Sequence, residues 1–444
     1  MKEQPKIDVG IVSRNELRFF LSSSFFEKNQ QFSAGEYIAT VEKNRISILT
    51  CSGEKFEGDS FLFISEKESF FELKNVTIGI GFHWEQDENQ RFRGALKLIP
   101  EEGKVLAINT IEIEEYLKSV ISSEMNASSS LEFLKAHAVI SRSWLLAQIE
   151  KTKSLKTDAG IYRTSHETDD EIIRWYDRED HSTFDVCADD HCQRYQGITK
   201  IYSERAVRAV EETAGEVLFH DNKICDTRFS KCCGGISESF ENVWEPVHHG
   251  YLTKVYDSDS GQTDLPDLRN ENEAEKWIYS NPPVFCNSAD PRVLSQILPG
   301  FDQKTTTFFR WKVEYAQTEL AELIKKKSGI DFGNILKLEP VQRGDSARII
   351  RLKIYGTKKT MTVGKELEIR KWLSESHLYS SAFVVNHIEK KEGIPQKFIL
   401  TGAGWGHGVG LCQIGAAVMG EKGYLYSEIL SHYFKGAELK KSYD

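Results

Sequence analysis

The chain has 444 residues, with 57 basic against 67 acidic side chains and a net charge of −10. Phosphate binding demands a basic face, so this balance argues against nucleic acid as the main partner and leaves a neutral or cationic polymer open. Hydrophobic residues make up 40%, enough for a sizeable core in two or three domains or one elaborated one. No stretch approaches the roughly 18 apolar residues of a membrane span, and the first twenty residues lack the apolar run of a signal peptide.

Residues 1–110 read as β-rich, with room for one helical segment. Over 36–50, Tyr37, Ala39 and Val41 alternate with polar neighbours, and 45–49 repeats the pattern. That is the period of a half-buried strand. Further strands are expected at 61–64 and 76–82, giving a β-sandwich or small barrel.

From 111 to 149 the pattern turns helical. A short helix over 114–123 places Leu117, Val120 and Ile121 on one face. A longer one follows, with Leu134, Ala138 and Leu145 at helical spacing and Ser129 with Glu132 as a capping box. Glu124 and Met125 fall in the corner between the two helices. Residues 151–180 are charged and poorly periodic. They read as an insertion, with a short helix near 171–176. Beyond it we expect a helix at 204–213, a Gly-Gly turn at Gly234 and Gly235, and a polar loop at 265–273. A helix over 318–327 is ended by Gly329. A hairpin over 347–363 and a last helix near 427–433 complete the reading. No internal repeat or low-complexity tract is evident.

Four groups of residues carry chemistry. Residues 402–420, GAGWGHGVGLCQIGAAVMG, hold seven glycines in nineteen positions around Trp405, His407 and Gln413. Such density serves a conformational need, as in a loop approaching a ligand closely. Linkers rarely carry Trp, His and Cys, so a flexible linker is the weaker reading. Glu124, flanked by Met125 and two helices, is partly desolvated in this picture and suits a general acid, or is an ordinary exposed glutamate. His181, Cys187 and Cys192 are the usual zinc ligand types. The fourth position would fall to water, Cys232 or Cys233, and His191 competes as a ligand. Reduced thiols or a Cys187–Cys192 disulfide are the alternatives. Finally, 225–235, CDTRFSKCCGG, is strand-like and offers Arg228, Ser230 and Lys231 as polar donors, or simply ends in a turn. A Cys232 or Cys233 nucleophile with His407 as base has no support in the spacing. Eight cysteines, five of them between 187 and 233, suit a metal or reactive site better than a disulfide scaffold.

Taken together these words resemble the stage II sporulation protein D family, the amidase-enhancer domain, over about 105–440. YLKSVISSEM (116–125) is similar to its helix-to-glutamate signature, and FLKAHAV (133–139) with Ser141-Arg142-Ser143 to the helix that follows. CADDHCQRYQG (187–197), FSKCCGG (229–235) and GWGHGVG (404–410) with Gln413 and Gly415 complete the set. His137 stands where the family usually has Gln, and Asn126 where it has Pro. The segment 1–104 carries no family word, and extra length lies near 151–180 and 250–310.

The resemblance implies an α+β fold, mostly β, with a helical segment carrying a catalytic glutamate and a groove between elements. It implies a lytic transglycosylase acting in the cell envelope on peptidoglycan strands stripped of stem peptides. Most glycosidases need two carboxylates. Here the substrate's own C6 hydroxyl is the nucleophile, so one carboxyl, Glu124, suffices and the product is a 1,6-anhydro sugar. Arg142 would orient substrate or tune Glu124. Ser230, Lys231, Trp405, His407 and Gln413 would line the groove, and His181, Cys187 and Cys192 would hold a structural zinc. Two other readings remain: a non-catalytic glycan-binding enhancer of a cell-wall amidase, and a zinc hydrolase that activates water at an open metal position.

Overall fold

The computed structural model describes residues 3–65, 68–79, 85–126, 129–157, 164–175, 181–189, 192–201, 203–261, 265–297 and 307–443. Strand outweighs helix, and the fold is α+β.

The N-terminal region forms two antiparallel-rich sheets. In one, the order is Val186–Cys187, Lys6–Arg14, Lys104–Glu112, Ala95–Glu101 and Phe61–Phe63. In the other it is Gln86–Phe92, Phe71–Ile78, Glu16–Leu21, Gly35–Glu42, Arg45–Thr50 and Lys55–Gly58. Alternation puts Phe19, Tyr37, Ala39 and Ile48 inward, and Phe19 meets Phe63 of the opposite sheet at 5.6 Å between ring centroids. The sandwich reading therefore stands. No helix precedes Ile113 among the described residues.

The strand Lys104–Glu112 runs directly into helix α1 (Ile113–Glu124), followed by α2 (Leu131–Thr157). Both helices bury one apolar face: Tyr116, Leu117, Val120 and Ile121 on α1, and Phe133, Leu134, Ala138, Val139 and Leu145 on α2. The cap of α2 differs from expectation. Ser130 Oγ accepts from the Phe133 amide at 3.4 Å, while Ser129 is buried and donates to the Gln296 carbonyl at 3.1 Å. Glu132 turns outward to Lys135 and the Tyr426 amide.

The expected short helix near 171–176 is a strand, Glu171–Arg174, parallel to Thr360–Gly364 in a five-stranded sheet. Four residues are too few for periodicity to separate helix from strand; the strand pairs antiparallel with its neighbour Ser165–Glu167 on one side and, on the other, with a strand almost two hundred residues away. Further on come α3 (Glu204–Glu212), α4 (Phe240–Val243), α5 (Glu271–Tyr279) and α6 (Pro291–Ile297). The expected polar loop at 265–273 is thus partly the start of α5, capped by Asn270. α7 (Gln317–Ser328) ends at Gly329 with φ +73, as its left-handed cap requires. The strands Arg310–Ala316, Ile394–Ala403 and Phe383–Lys391 form a three-stranded sheet. α8 (Glu366–Trp372), α9 (Gln413–Glu421) and α10 (Tyr426–Tyr433) complete the chain. α9 takes the second half of the glycine-rich stretch, so only 404–410 is loop.

One hydrophobic core runs from the N-terminal sheets through α1 and α2 to α9 and α10. A second lies under α7 and α8, built around Trp311, Ile349, Leu352, Trp372 and Phe398.

Candidate functional site

Glu124 is the last residue of α1. The helix stops there because Met125 turns extended and is buried, its amide bonding the Ile121 carbonyl. The half-buried Glu124 carboxylate accepts a hydrogen bond from the Arg194 amide at 3.1 Å. That amide is well placed because 193–196 lies along α1. The Gln196 amide donates to Ser119 Oγ at 3.2 Å, Tyr195 stacks on Tyr116 at 4.9 Å, and the Tyr195 hydroxyl donates to Asn109 at 2.6 Å. Beside Glu124, the hydroxyls of Ser122 and Ser123 are buried and meet no hydrogen-bond partner among the described residues.

Immediately before 193–196 lie the three candidate metal ligands. His181, Cys187 and Cys192 come together with their donor atoms all within 4.8 Å of one another, and Cys192 Sγ is 3.5 Å from His181 Nε2. Local structure causes this. Val186–Cys187 pairs in parallel with Val9 and Gly10, the Cys192 amide closes a turn onto Asp189, and Phe184 holds the His181 ring at 4.4 Å. One imidazole and two thiols, all partly exposed, fit the donor chemistry of zinc with one further position to fill. No disulfide joins any of the eight cysteines, so the Cys187–Cys192 bridge does not occur here. Cys233 does not complete this trio. It belongs to a separate buried group with Asp257, Cys286 and Cys412, and Cys232 lies against Cys286 and Cys412. His191 lies outside the described residues.

The glycine loop has a different cause from the one its composition suggests. Gly404, Gly406, Gly408 and Gly410 all have φ between +72 and +88. A Cβ on Gly408 would sit 2.4 Å from the Arg348 guanidinium, and one on Gly410 2.1 Å from the Arg228 carbonyl. The loop is therefore wrapped around a buried arginine. Arg348 donates to the carbonyls of Gly406 and Cys233 and to Ser346 Oγ. The glycines serve this close approach rather than a bare ligand cradle.

Around the loop stand the other candidates. Trp405 is half-buried, stacked on Phe308 at 4.6 Å with Tyr379 edge-on. Ser230, 6% exposed, pairs with Cys412 across a short parallel bridge, and its hydroxyl has no partner among the described residues. Lys231 Nζ donates to the Ile297 carbonyl at 3.1 Å. His407 Nδ1 accepts from the Val409 amide at 3.0 Å, and its ring meets Trp244 edge-on. Gln413 is 3% exposed and its amide meets His137 Nε2 at 3.2 Å. Gln413 is thus held inside the scaffold, and the half-buried His407 is tied to its own loop.

Helix α6, which sequence reasoning missed, links the two halves. The Gln296 carbonyl accepts from the Asn126 amide and Ser129 Oγ, just after Glu124, and the next carbonyl takes Lys231. Asp290-Pro291 is an N-cap followed by proline at the first helical position, a signal that was legible. Arg142 is placed elsewhere. It is 0% exposed and forms a two-pronged pair with Glu114, at 2.9 and 2.7 Å, and donates to the Glu216 carbonyl. Glu114 lies at the other end of α1, on the order of 15 Å from Glu124 by helical rise.

Burial, reinforced by nearby Lys231, brings the His137 pKa down to about 3. Burial, with Arg228 and Arg348 close by, holds His407 well below its ordinary value. Both imidazoles are neutral in the folded state near pH 7, whereas in the unfolded chain each protonates near pH 6.5. For His137, between about pH 6.5 and 3, the unfolded state binds more protons, so stability falls as pH falls. The slope is up to about 1.4 kcal/mol per pH unit for each such histidine. Urea unfolding from about pH 7.5 down to 5 should show this loss, and His137→Gln should flatten it by one histidine's share. An unchanged slope in that variant would mean that His137 is protonated in the fold.

Residues 101–220 match the family described as Stage II sporulation protein, and residues 238–410 match a domain of unknown function (DUF8618). Over 348 residues the chain is 25% identical to a Brachyspira hyodysenteriae protein described as uncharacterised, covering 78% of this chain and 72% of that one. It is 25% identical to the amidase enhancer of Bacillus subtilis over 73% of this chain and 40% of that one. It is 23% identical to stage II sporulation protein D of Bacillus amyloliquefaciens, over 76% of each. No described helix is long and apolar enough to cross a membrane.

Proposed function

Because the chain belongs to the stage II sporulation protein D family, we propose that it works on the cell wall, as a lytic transglycosylase of peptidoglycan glycan strands in the cell envelope. The observation that carries this reading is a half-exposed carboxylate, Glu124, aimed by a backbone amide at the end of a buried helix.

In this mechanism the Glu124 carboxyl gives its proton to the glycosidic oxygen as the bond to C1 breaks. The C6 hydroxyl of the same N-acetylmuramic acid residue attacks C1, and its proton passes to the Glu124 carboxylate. The acid is regenerated and no water is consumed. The Arg194 amide keeps one oxygen of the carboxylate fixed through both transfers. The hydroxyls of Ser122, Ser123 and Ser230, without a partner among the described residues, lie just beneath the site, and the half-exposed Trp405 ring offers an edge to a sugar face. Lys231 contributes through its hold on α6, and His407 and Gln413 by fixing the loop. His181, Cys187 and Cys192 would hold a structural zinc, which when bound would lock the turn that presents the Arg194 amide. Arg142 acts as a positioning residue for α1.

The name of the Bacillus subtilis relative favours a second reading, in which the protein binds glycan and enhances a partner amidase. Digestion of amidase-treated glycan strands, followed by mass spectrometry, separates the two. Anhydro-ended fragments are expected. Reducing ends would make the protein a hydrolase, and intact strands would favour the enhancer.

A further inference from the structure

We propose that Cys233, Asp257, Cys286 and Cys412 form a second metal centre, closed and structural, with zinc as its ion. It is separate from the trio at His181, Cys187 and Cys192.

The four donor atoms lie within 4.8 Å of one another and all four residues are buried. A tetrahedron with metal–sulphur bonds of about 2.3 Å has edges of about 3.8 Å. Here Cys233 Sγ is 3.6 Å from Cys286 Sγ and 3.7 Å from an oxygen of Asp257. These separations suit donors around one ion and are far beyond a disulfide bond of about 2.05 Å.

The surroundings are built for anionic ligands. The Cys233 amide points at Cys412 Sγ at 3.2 Å, and the Gly235 amide at Cys233 Sγ at 3.4 Å. Asp257 accepts from the Cys286 amide at 2.9 Å and from the Tyr433 hydroxyl at 2.6 Å. Such outer partners orient ligands and favour their charged forms. A Cβ on Gly415 would meet both Tyr433 and Asp257 within 2.4 Å, so a glycine in α9 keeps that contact possible. Three thiolates and a carboxylate leave two negative charges on a zinc complex. Arg348 and Arg310 stand nearby, bonding the carbonyls of Cys233 and Gly234. On loading from hydrated Zn2+, three metal–sulphur bonds and one metal–oxygen bond replace bonds from the ion to water, and the released waters and the protons held by the ligands go to solvent.

The ligands come from four separate segments. Cys233 follows the strand carrying Ser230, Asp257 follows the bridge between Ile236 and Tyr256, Cys286 precedes α6, and Cys412 caps α9. An ion there would join the glycine loop to the segment that leads into α6. It would hold the frame around Trp405 whatever reaction the protein performs.

The test is metal content of the purified full chain. With the first trio removed by Cys187→Ser and Cys192→Ser, about one zinc per chain should remain. Adding Cys286→Ser should remove it, while adding Cys232→Ser should not. If Cys286→Ser prevents folding, the two-serine variant still decides. Zero zinc in that folded protein, iron in place of zinc, or alkylation showing Cys233 bonded to Cys286 would each overturn the proposal. Cleavage activity plays no part in this readout, so failure of the transglycosylase reading would leave it standing.

Discussion

Glu124→Gln should leave the protein folded and lower the release of anhydro-ended fragments by about 10²–10⁴-fold, the usual contribution of a positioned acid–base group. The amide oxygen of Gln can still accept from the Arg194 amide, so the geometry at the end of α1 is preserved and only the transferable proton is lost. Thermal unfolding should be nearly unchanged, because the carboxylate is half-exposed and its fixed partner is retained. Glu124→Asp is informative as well. It keeps the acid but withdraws it by one methylene, and a positioning error of that size is costly when the reacting atoms must sit about 3 Å apart. If Glu124→Gln cleaves at the wild-type rate, the proton comes from elsewhere and the one-carboxylate mechanism fails. If wild type and variant both enhance an amidase equally and neither cleaves, the enhancer reading takes its place.

Arg142→Met should cost about 3–5 kcal/mol of stability, read as a shifted urea midpoint, because it leaves the Glu114 carboxylate without its buried cation. Glu114 also accepts from the Gly215 amide and the Tyr443 hydroxyl, so the pair ties α1, α2 and the C-terminus together. Replacing both partners, with Arg142→Met and Glu114→Leu, should recover part of the loss, since no lone buried charge remains. The folded fraction of Arg142→Met should still cleave within a few-fold of wild type. Full stability with lost cleavage would return Arg142 to the substrate, as its place in the family motif suggested.

That contrast shows what the residues reveal by themselves. The strands Gly35–Glu42 and Arg45–Thr50 were legible because one face of each is buried, so burial wrote its period into the chain. α1 and α2 were legible for the same reason at a different period. Glu171–Arg174 was not, because it is four residues long, its hairpin partner Ser165–Glu167 is only three, and its other partner is remote. His181, Cys187 and Cys192 fall within twelve residues, so a turn and a strand suffice to gather them. The group around Cys233 was invisible, because Asp257, Cys286 and Cys412 reach it only through the tertiary fold. Motif words located Arg142, His407 and Gln413 but said nothing of their partners. It is those partners, Glu114, the Val409 amide and His137, that decide what each side chain does.

The pairing of Val186–Cys187 with the strand Lys6–Arg14 has a consequence beyond the site. Among the described residues that strand is bonded on one side by Lys104–Glu112 and on the other by this short segment alone, with the Asp185 and Ala188 amides extending the cover to Asp8 and Gly10. The turn that gathers His181, Cys187 and Cys192 therefore also shields a row of peptide groups from any passing chain. Were that turn to open, the sandwich would stay folded but present a bare edge able to recruit a strand from another molecule. Damage at the cysteines would then surface first as clumping of intact protein, well before any melting of its helices.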